Sequence, residues 1–139
     1  MIIADTGYWL ALANRADRHH QAALQAMTGL REKLVTTWPV LTETCHLLLS
    51  RLGVAAQLAF LRGVQNGACS VFQVTDGHLP RIEELMAQYA DLPMDMADAS
   101  LVVLAEETGS GRILSTDQRD FHAYRWKNRR PFRNLLLTS

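Results

Sequence analysis

The feature that most restricts this chain is its rhythm. Short apolar or β-branched runs alternate with longer stretches of helical periodicity, and turn or cap residues mark the junctions. Ile2-Ile3-Ala4 reads as a strand ending at Asp5, followed by a helix over Thr6 to Ala13. Asp17 is placed as the cap of a second helix that runs through Ala22, Ala23 and Met27 to Gly29. Leu34 to Thr37 is strand-like, Pro39 suits the first turn of a helix over Val40 to Leu52, and Gly53 stands just past its end. Val54 to Gln65 reads as a helix closed by Asn66-Gly67, Cys69 to Val74 as a strand, and His78 to Tyr89 as a helix. A helix over Met96 to Thr108 ends at Gly109, Ile113 to Ser115 is a buried strand, and Leu135 to Leu137 is expected as an edge strand. Strands joined by crossover helices imply an α/β fold with a central, mostly parallel sheet and helices on both faces. At 139 residues, without repeats or a dividing linker, one domain is expected over 1–139.

Several classes of protein fall away. Polar residues break every apolar run well short of the roughly 20 residues a membrane span needs. The start, Met1 to Asp5, lacks the basic and apolar regions of a signal peptide. Cys45 and Cys69 form neither a CxxC nor a zinc spacing, and two lone thiols fit a reducing cytoplasm. Zinc-hydrolase, esterase and phosphate-loop signatures are missing from the sequence.

Sheets of this kind carry their chemistry beyond the carboxyl ends of the strands. Asp5 sits at the end of the first strand and Asp117 just past the Ile113–Ser115 strand. Either acid is equally well a helix N-cap, worth about 1 kcal/mol. Glu43 is harder to explain structurally. It borders the apolar stripe of Leu41, Cys45, Leu48 and Leu52, where an ionised carboxylate needs a cationic partner or a metal unless it reaches solvent. Asp95 and Asp98 share one face at i, i+3, Asp95 as cap and Asp98 in the first turn. Carboxylates that meet in one pocket repel and raise each other's pKa. A hard divalent cation, Mg2+ or Mn2+, resolves the repulsion and suits attack of water on a phosphodiester.

These residues carry a resemblance. Asp5-Thr6 after a strand, Thr42-Glu43 inside a helix, Asp98-Ala99 opening a helix that ends Thr108-Gly109, and Leu114-Ser115-Thr116-Asp117 before Asp120-Phe121 resemble the PIN domain. The set is most similar to the small bacterial PIN proteins of the VapC type, as are Asp17-Arg18-His19-His20 and Asp91-Leu92-Pro93-Met94. The resemblance implies a Mg2+- or Mn2+-dependent endoribonuclease, the toxin of a toxin–antitoxin pair, with RNA as substrate, a cognate antitoxin as partner and a homodimer as assembly. By position, Asp5, Glu43, Asp98 and Asp117 would be the metal-binding and catalytic acids, with Asp95, Ser115 and Thr6 as accessories. The rival reading keeps the fold but makes it a nucleic-acid or protein binding module with weak catalysis. A receiver-type phosphotransfer domain also gathers acids at strand ends. It would want a lysine near its site, and neither Lys33 nor Lys127 follows a strand end suitably.

Other side chains take plainer readings. His46, three residues after Glu43, is expected as a packed structural histidine; His19, His20 and His78 belong to helix starts. Trp9 and Trp38 are expected as core or interface anchors, and Trp126 as a candidate for base stacking. The formal net charge of zero excludes a uniformly basic surface but conceals an asymmetry. Residues 1–120 hold all 14 acids and nine of the 14 Lys and Arg. The C-terminal segment 121–139 holds Arg125, Lys127, Arg129, Arg130 and Arg133 with no acid. Of these, Arg125, Lys127, Arg129 and Arg130 are candidate RNA contacts, the competing role being a solubilising tail.

Overall fold

The computed structural model describes residues 1–137. In chain order the elements are β1 (Ile2–Ala4), α1 (Thr6–Ala13), α2 (His20–Gly29), β2 (Leu34–Thr37), α3 (Trp38–Leu52), α4 (Val54–Gln65) and β3 (Ser70–Phe72). A 3-10 turn at Asp76–His78 leads into α5 (Leu79–Gln88), α6 (Met96–Thr108), β4 (Arg112–Leu114), α7 (Gln118–Ala123), β5 (Arg125–Trp126), β6 (Arg130–Pro131) and β7 (Arg133–Asn134). Five strands form the central sheet in the order β3-β2-β1-β4-β7, and all four pairings are parallel. The expected α/β architecture is therefore the observed one.

Both faces of the sheet are covered, which is why its central strands are apolar throughout. Ile3, Val35 and Ile113 point into a core built with α5, α6, Phe121, Tyr124 and Trp126. Ile2, Ala4 and Leu114 point the other way, onto Tyr8, Trp9 and Ala11 of α1 and Ala23 of α2. Helix α6 is the central post, with every residue from Ala99 to Ala105 buried, and it ends at Gly109, whose φ of +71° lies in the left-handed region that ends many helices.

The structure departs from the expected elements in several places; among them, α5 ends at Gln88, and β4 covers Arg112–Leu114, one residue earlier than the expected Ile113–Ser115 strand. Helix α2 begins at His20, and Asp17 instead accepts from the His19 N–H (2.8 Å) in the preceding turn. Helix α3 begins at Trp38, with Thr37 as its cap and Pro39 in the first turn. Strand β3 is shorter than Cys69 to Val74. His78 belongs to the 3-10 turn, where its Nδ1 accepts from the Thr75 N–H (2.9 Å). The edge strand is Arg133–Asn134, not the leucine run after it, because the ladder pairs Arg112 with Arg133 and Ile113 with Asn134. The segment after residue 120, read from sequence as a basic tail, folds through residue 137 as the end of α7, the β5–β6 hairpin and β7.

Candidate active site

The acids gather because helices start where the parallel strands end. Helix α1 follows β1 directly, α3 follows β2, α7 follows β4 after a short link, and α6 packs its length against α3 and β2. Asp5, Asp95 and Asp117 are the caps of α1, α6 and α7, so the capping role and membership of the cluster coexist.

Asp5 is only 8% exposed. One of its oxygens accepts from the Thr6 N–H (2.8 Å) and the other from the Ser115 hydroxyl (2.9 Å). That same Ser115 Oγ accepts from the Asp117 N–H (2.9 Å), so one buried hydroxyl ties two acids from different strand ends together. Ser115 is held in turn by Asn134, whose Nδ2 donates to the Ser115 carbonyl (2.8 Å) while its Oδ1 accepts from the Ser115 N–H (3.3 Å). The β4–β7 register is thus part of the site. Gly7 adds a close approach: a Cβ there would lie 1.8 Å from Thr116 Oγ1, so only glycine lets α1 sit this near the Ser115–Asp117 link.

Asp117 Oδ1 accepts from the Asp120 N–H (3.1 Å), and Asp95 Oδ1 from the Asp98 N–H (2.8 Å). Asp95 is exposed, whereas Asp98 is half-buried and its carboxylate accepts the Tyr124 hydroxyl (2.9 Å). Glu43 reaches the group from α3, half-buried. The Thr44 hydroxyl donates to Thr6 Oγ1 (3.2 Å) and fixes α3 against α1.

Burial and mutual repulsion govern the protonation of this cluster. Burial pushes Asp5 up to about 6; the Thr6 N–H and Ser115 O–H pull it back, and Glu43 and Asp117 push it further. Asp98 is pushed up to about 8, first by burial and then by Asp95, against the pull of the Tyr124 hydroxyl, with Asp5 and Asp117 adding to the rise. Glu43 is raised by burial and by Asp95. Asp120 is raised by burial and by its bond and proximity to Asp117. Every acid singled out in the sequence therefore lies within one electrostatic field. Tyr124, Thr44 and Asn134 join it without having been singled out, and Asp120, read only as part of the motif, joins as a further acid. Asp120 had a signal, standing three residues after Asp117 at the start of a helix. Tyr124 had none, since its hydroxyl meets Asp98 only through tertiary packing.

Among the described residues, no three His, Cys, Asp or Glu side chains stand close enough to enclose a metal ion. The donors are nonetheless all carboxylate oxygens, on four acids that are buried (Asp5) or half-buried (Glu43, Asp98, Asp117) and crowded by like charge. That chemistry fits a hard divalent cation held by one or two carboxylates and keeping several waters, and does not fit a zinc cage.

The basic residues divide by role. Arg125 turns its guanidinium back onto the carbonyls of His122, Ala123 and Tyr124 (2.9, 3.3 and 2.9 Å) and closes the end of α7. Lys127 and Arg130 are exposed and lie 5.8 and 5.4 Å from the Trp126 ring centroid, and Arg129 is exposed between them. Trp126 is not an open stacking surface. It is buried, its Nε1–H donates to the Pro131 carbonyl (3.2 Å), and its ring closes over Gly111. Trp9 is in the core as expected, but Trp38 is 45% exposed and anchors no core.

A parallel α/β sheet with acids converging from the starts of three helices and the second turn of α3 defines a class of protein, and comparison with known proteins gives it a family. Residues 2–127 match the PIN domain, and the chain belongs to that family. It is 32% identical over 124 residues to Ribonuclease VapC26 of Mycobacterium tuberculosis, covering 89% of this chain and 92% of that protein. Its fold is similar to the crystal structure of the Mycobacterium tuberculosis toxin VapC20, described as cleaving the sarcin-ricin loop. The TM-score is 0.78 at 23% identity, over 86% of this chain and 92% of the other.

Proposed function

We propose that the protein is a metal-dependent endoribonuclease of the VapC kind, acting through Asp5, Glu43, Asp98 and Asp117. The observation that carries this reading is the convergence of buried Asp5 and half-buried Asp98, both held well above the usual carboxylate range, with Glu43 and Asp117. Family membership and the likeness to a named ribonuclease support it. Asp5 and Asp98 would hold Mg2+ or Mn2+, and the cation would offset their charge and that of the phosphate while lowering the pKa of water. Ser115 fixes the carboxylate of Asp5 and the backbone of Asp117 in one geometry, and Asp117 orients the site. Tyr124 aims Asp98, whereas Asp95 has one oxygen committed to capping, which supports Asp98 as the principal acid of α6. Glu43 would take the proton of the attacking water as a new P–O bond forms, and the leaving ribose oxygen would take a proton from solvent as its bond to phosphorus breaks.

On this reading RNA is the substrate, a cognate antitoxin the partner, a homodimer the assembly and the cytoplasm the place of action. No helix among the described residues is long and apolar enough to cross a membrane. The exposed cations Lys127, Arg129 and Arg130, with Arg125 beside them, would draw the RNA backbone toward the acids. The test is cleavage of RNA with Mg2+ or Mn2+, with chelator, and by Asp5→Asn. Activity that needs the cation and falls at least about a hundredfold in Asp5→Asn is expected. Equal activity in the two proteins overturns the assignment. The absence of a ready-made three-ligand group among the described residues favours one rival, a binding module without cleavage. That rival predicts RNA binding with no calorimetric signal for either cation.

A further inference from the structure

Beside the acids lies a cleft of about 460 Å3 between α3 and the start of α6. On α3 it is lined by Pro39, Thr42, Glu43 and His46, a stripe at i, i+3, i+4 and i+7. Asp95, Met96 and Ala97 form the opposite wall. Two of its four polar side chains are engaged in hydrogen bonds. The Thr42 hydroxyl donates to the Trp38 carbonyl (3.0 Å), and one oxygen of Asp95 caps α6. His46 is exposed, and its ring makes no hydrogen bond among the described residues, which leaves the expectation of a packed structural histidine without support. The apolar side is just as open. Met96 is 42% exposed, and Trp38, next to Pro39 at the head of α3, presents its indole to solvent. Met96 also lines a second cleft with Leu79, Ile82 and Met86, so apolar surface continues away from the acids.

We infer that this cleft is a nucleotide subsite that takes the unpaired base next to the scissile phosphate. The inference rests on the ribonuclease reading. A free heterocycle needs a flat or polarisable apolar wall and an adaptable hydrogen-bonding group at its edge. Pro39 and Met96 supply the first, and the His46 imidazole supplies the second. The cleft shares Glu43 and Asp95 with the acid cluster, so a base seated here leaves its phosphate at the acids. A base also carries no charge to be repelled by these carboxylates, whereas a phosphate in the same cleft would be. The volume lies within the range of small-ligand sites. A double helix keeps its bases stacked inside, so the subsite selects single-stranded or looped RNA.

Trp38 makes the inference measurable, because Trp9 and Trp126 are buried and it is the one exposed indole among the three. A short single-stranded oligoribonucleotide titrated into Asp5→Asn should quench the exposed indole emission, and a duplex of the same sequence should not. In the otherwise unaltered protein, His46→Ala and Met96→Ala should each raise the KM for single-stranded RNA by about tenfold and change kcat by less. These side chains are exposed, so the variants should fold, which circular dichroism checks. Three results overturn the inference: KM within twofold of the parent in both variants, equal quenching by duplex, or a dimer lost in Met96→Ala with RNA kinetics unchanged. The last would assign the patch to a second copy of the chain. No cleavage of any RNA by the unaltered protein would instead overturn the ribonuclease reading on which the subsite depends.

Discussion

A single hydroxyl can set how readily an acid of this kind gives up its proton. Asp98 is pushed up to about 8 by burial and neighbouring acids even though the Tyr124 O–H holds it down. Tyr124 is fully buried between Tyr89 and Phe121, with ring centroids 5.1 Å away on either side, so its hydroxyl is aimed by packing and not by a flexible reach. A hydrogen bond to a charged group is worth about 1.5–3 kcal/mol, which is roughly one to two pKa units. Tyr124→Phe removes the donor and keeps the ring. Asp98 should then titrate higher still, and the acid limb of the kcat/KM profile should move up by about one unit. An acid limb that stays in place would show that Tyr124 does not position the reacting form of Asp98. This contact also marks where the sequence stopped being informative. Acids at strand ends and helix starts are visible in one dimension because capping and topology put them there. A hydroxyl from α7 meeting a carboxylate from α6 depends on how the two helices pack, and spacing carries no trace of it.

At the scale of elements, legibility followed the strength of the local signal. Helix α4 and helix α6 run between the limits read from sequence, and α3 differs only at its start; Gly53 and Gly109 stand at their ends with φ of +102° and +71°. Helix α7 has six residues, too few for periodicity to show, and only the capping potential of Asp117 hinted at it. Leu135 to Leu137 looked like a strand because it is apolar, but the ladder chose the Asn134 register, and Asn134 is then placed to clamp Ser115. The β5–β6 hairpin was invisible for a related reason. Its turn puts Lys127 and Asn128 at φ of +51° and +60°, which the residue types alone do not announce. Tertiary contacts hold it: Glu106 accepts the Lys127 N–H (2.6 Å), and Arg81 donates to Asn128 (3.0 Å) as well as to Glu106. Lys127→Gly should therefore leave the hairpin intact and stabilise the protein by up to about 1 kcal/mol, since glycine adopts this backbone without strain. If the hairpin meets RNA, the same change should weaken binding and lower the slope of log affinity against log salt by about 0.7. Unchanged affinity and slope would return Lys127 to a purely structural role.

For the whole molecule, the acid cluster sets a cost that the rest of the fold must carry. Asp5 and Asp98 hold protons more tightly in the folded state than in the unfolded chain, with folded values of about 6 and about 8. Glu43 and Asp120 are raised in the same direction. Between the ordinary carboxylate range and those values the folded protein binds more protons than the unfolded one, so stability without metal must fall as pH rises. The fall starts near pH 4 and levels off once pH has passed about 8. Glu32 is shifted oppositely, down to about 2 by the Arg112 fork, but its titration from the ordinary value of 4.5 is nearly complete by about pH 5.5. Asp5 alone accounts for on the order of 3 kcal/mol across the window, at about 1.4 kcal/mol per pKa unit. Metal-free protein should accordingly melt at least about 5 °C lower at pH 8 than at pH 5.5. Asp98→Asn removes much of the repulsion, so it should flatten this dependence and melt above the parent at pH 8. Millimolar Mg2+ or Mn2+ should raise the parent's melting temperature at pH 8 and do little at pH 5.5, where protons already occupy the site. A melting temperature that rises from pH 5.5 to 8 without metal, or that ignores the cations at both, would mean that these carboxylates do not share the crowded field on which the site depends.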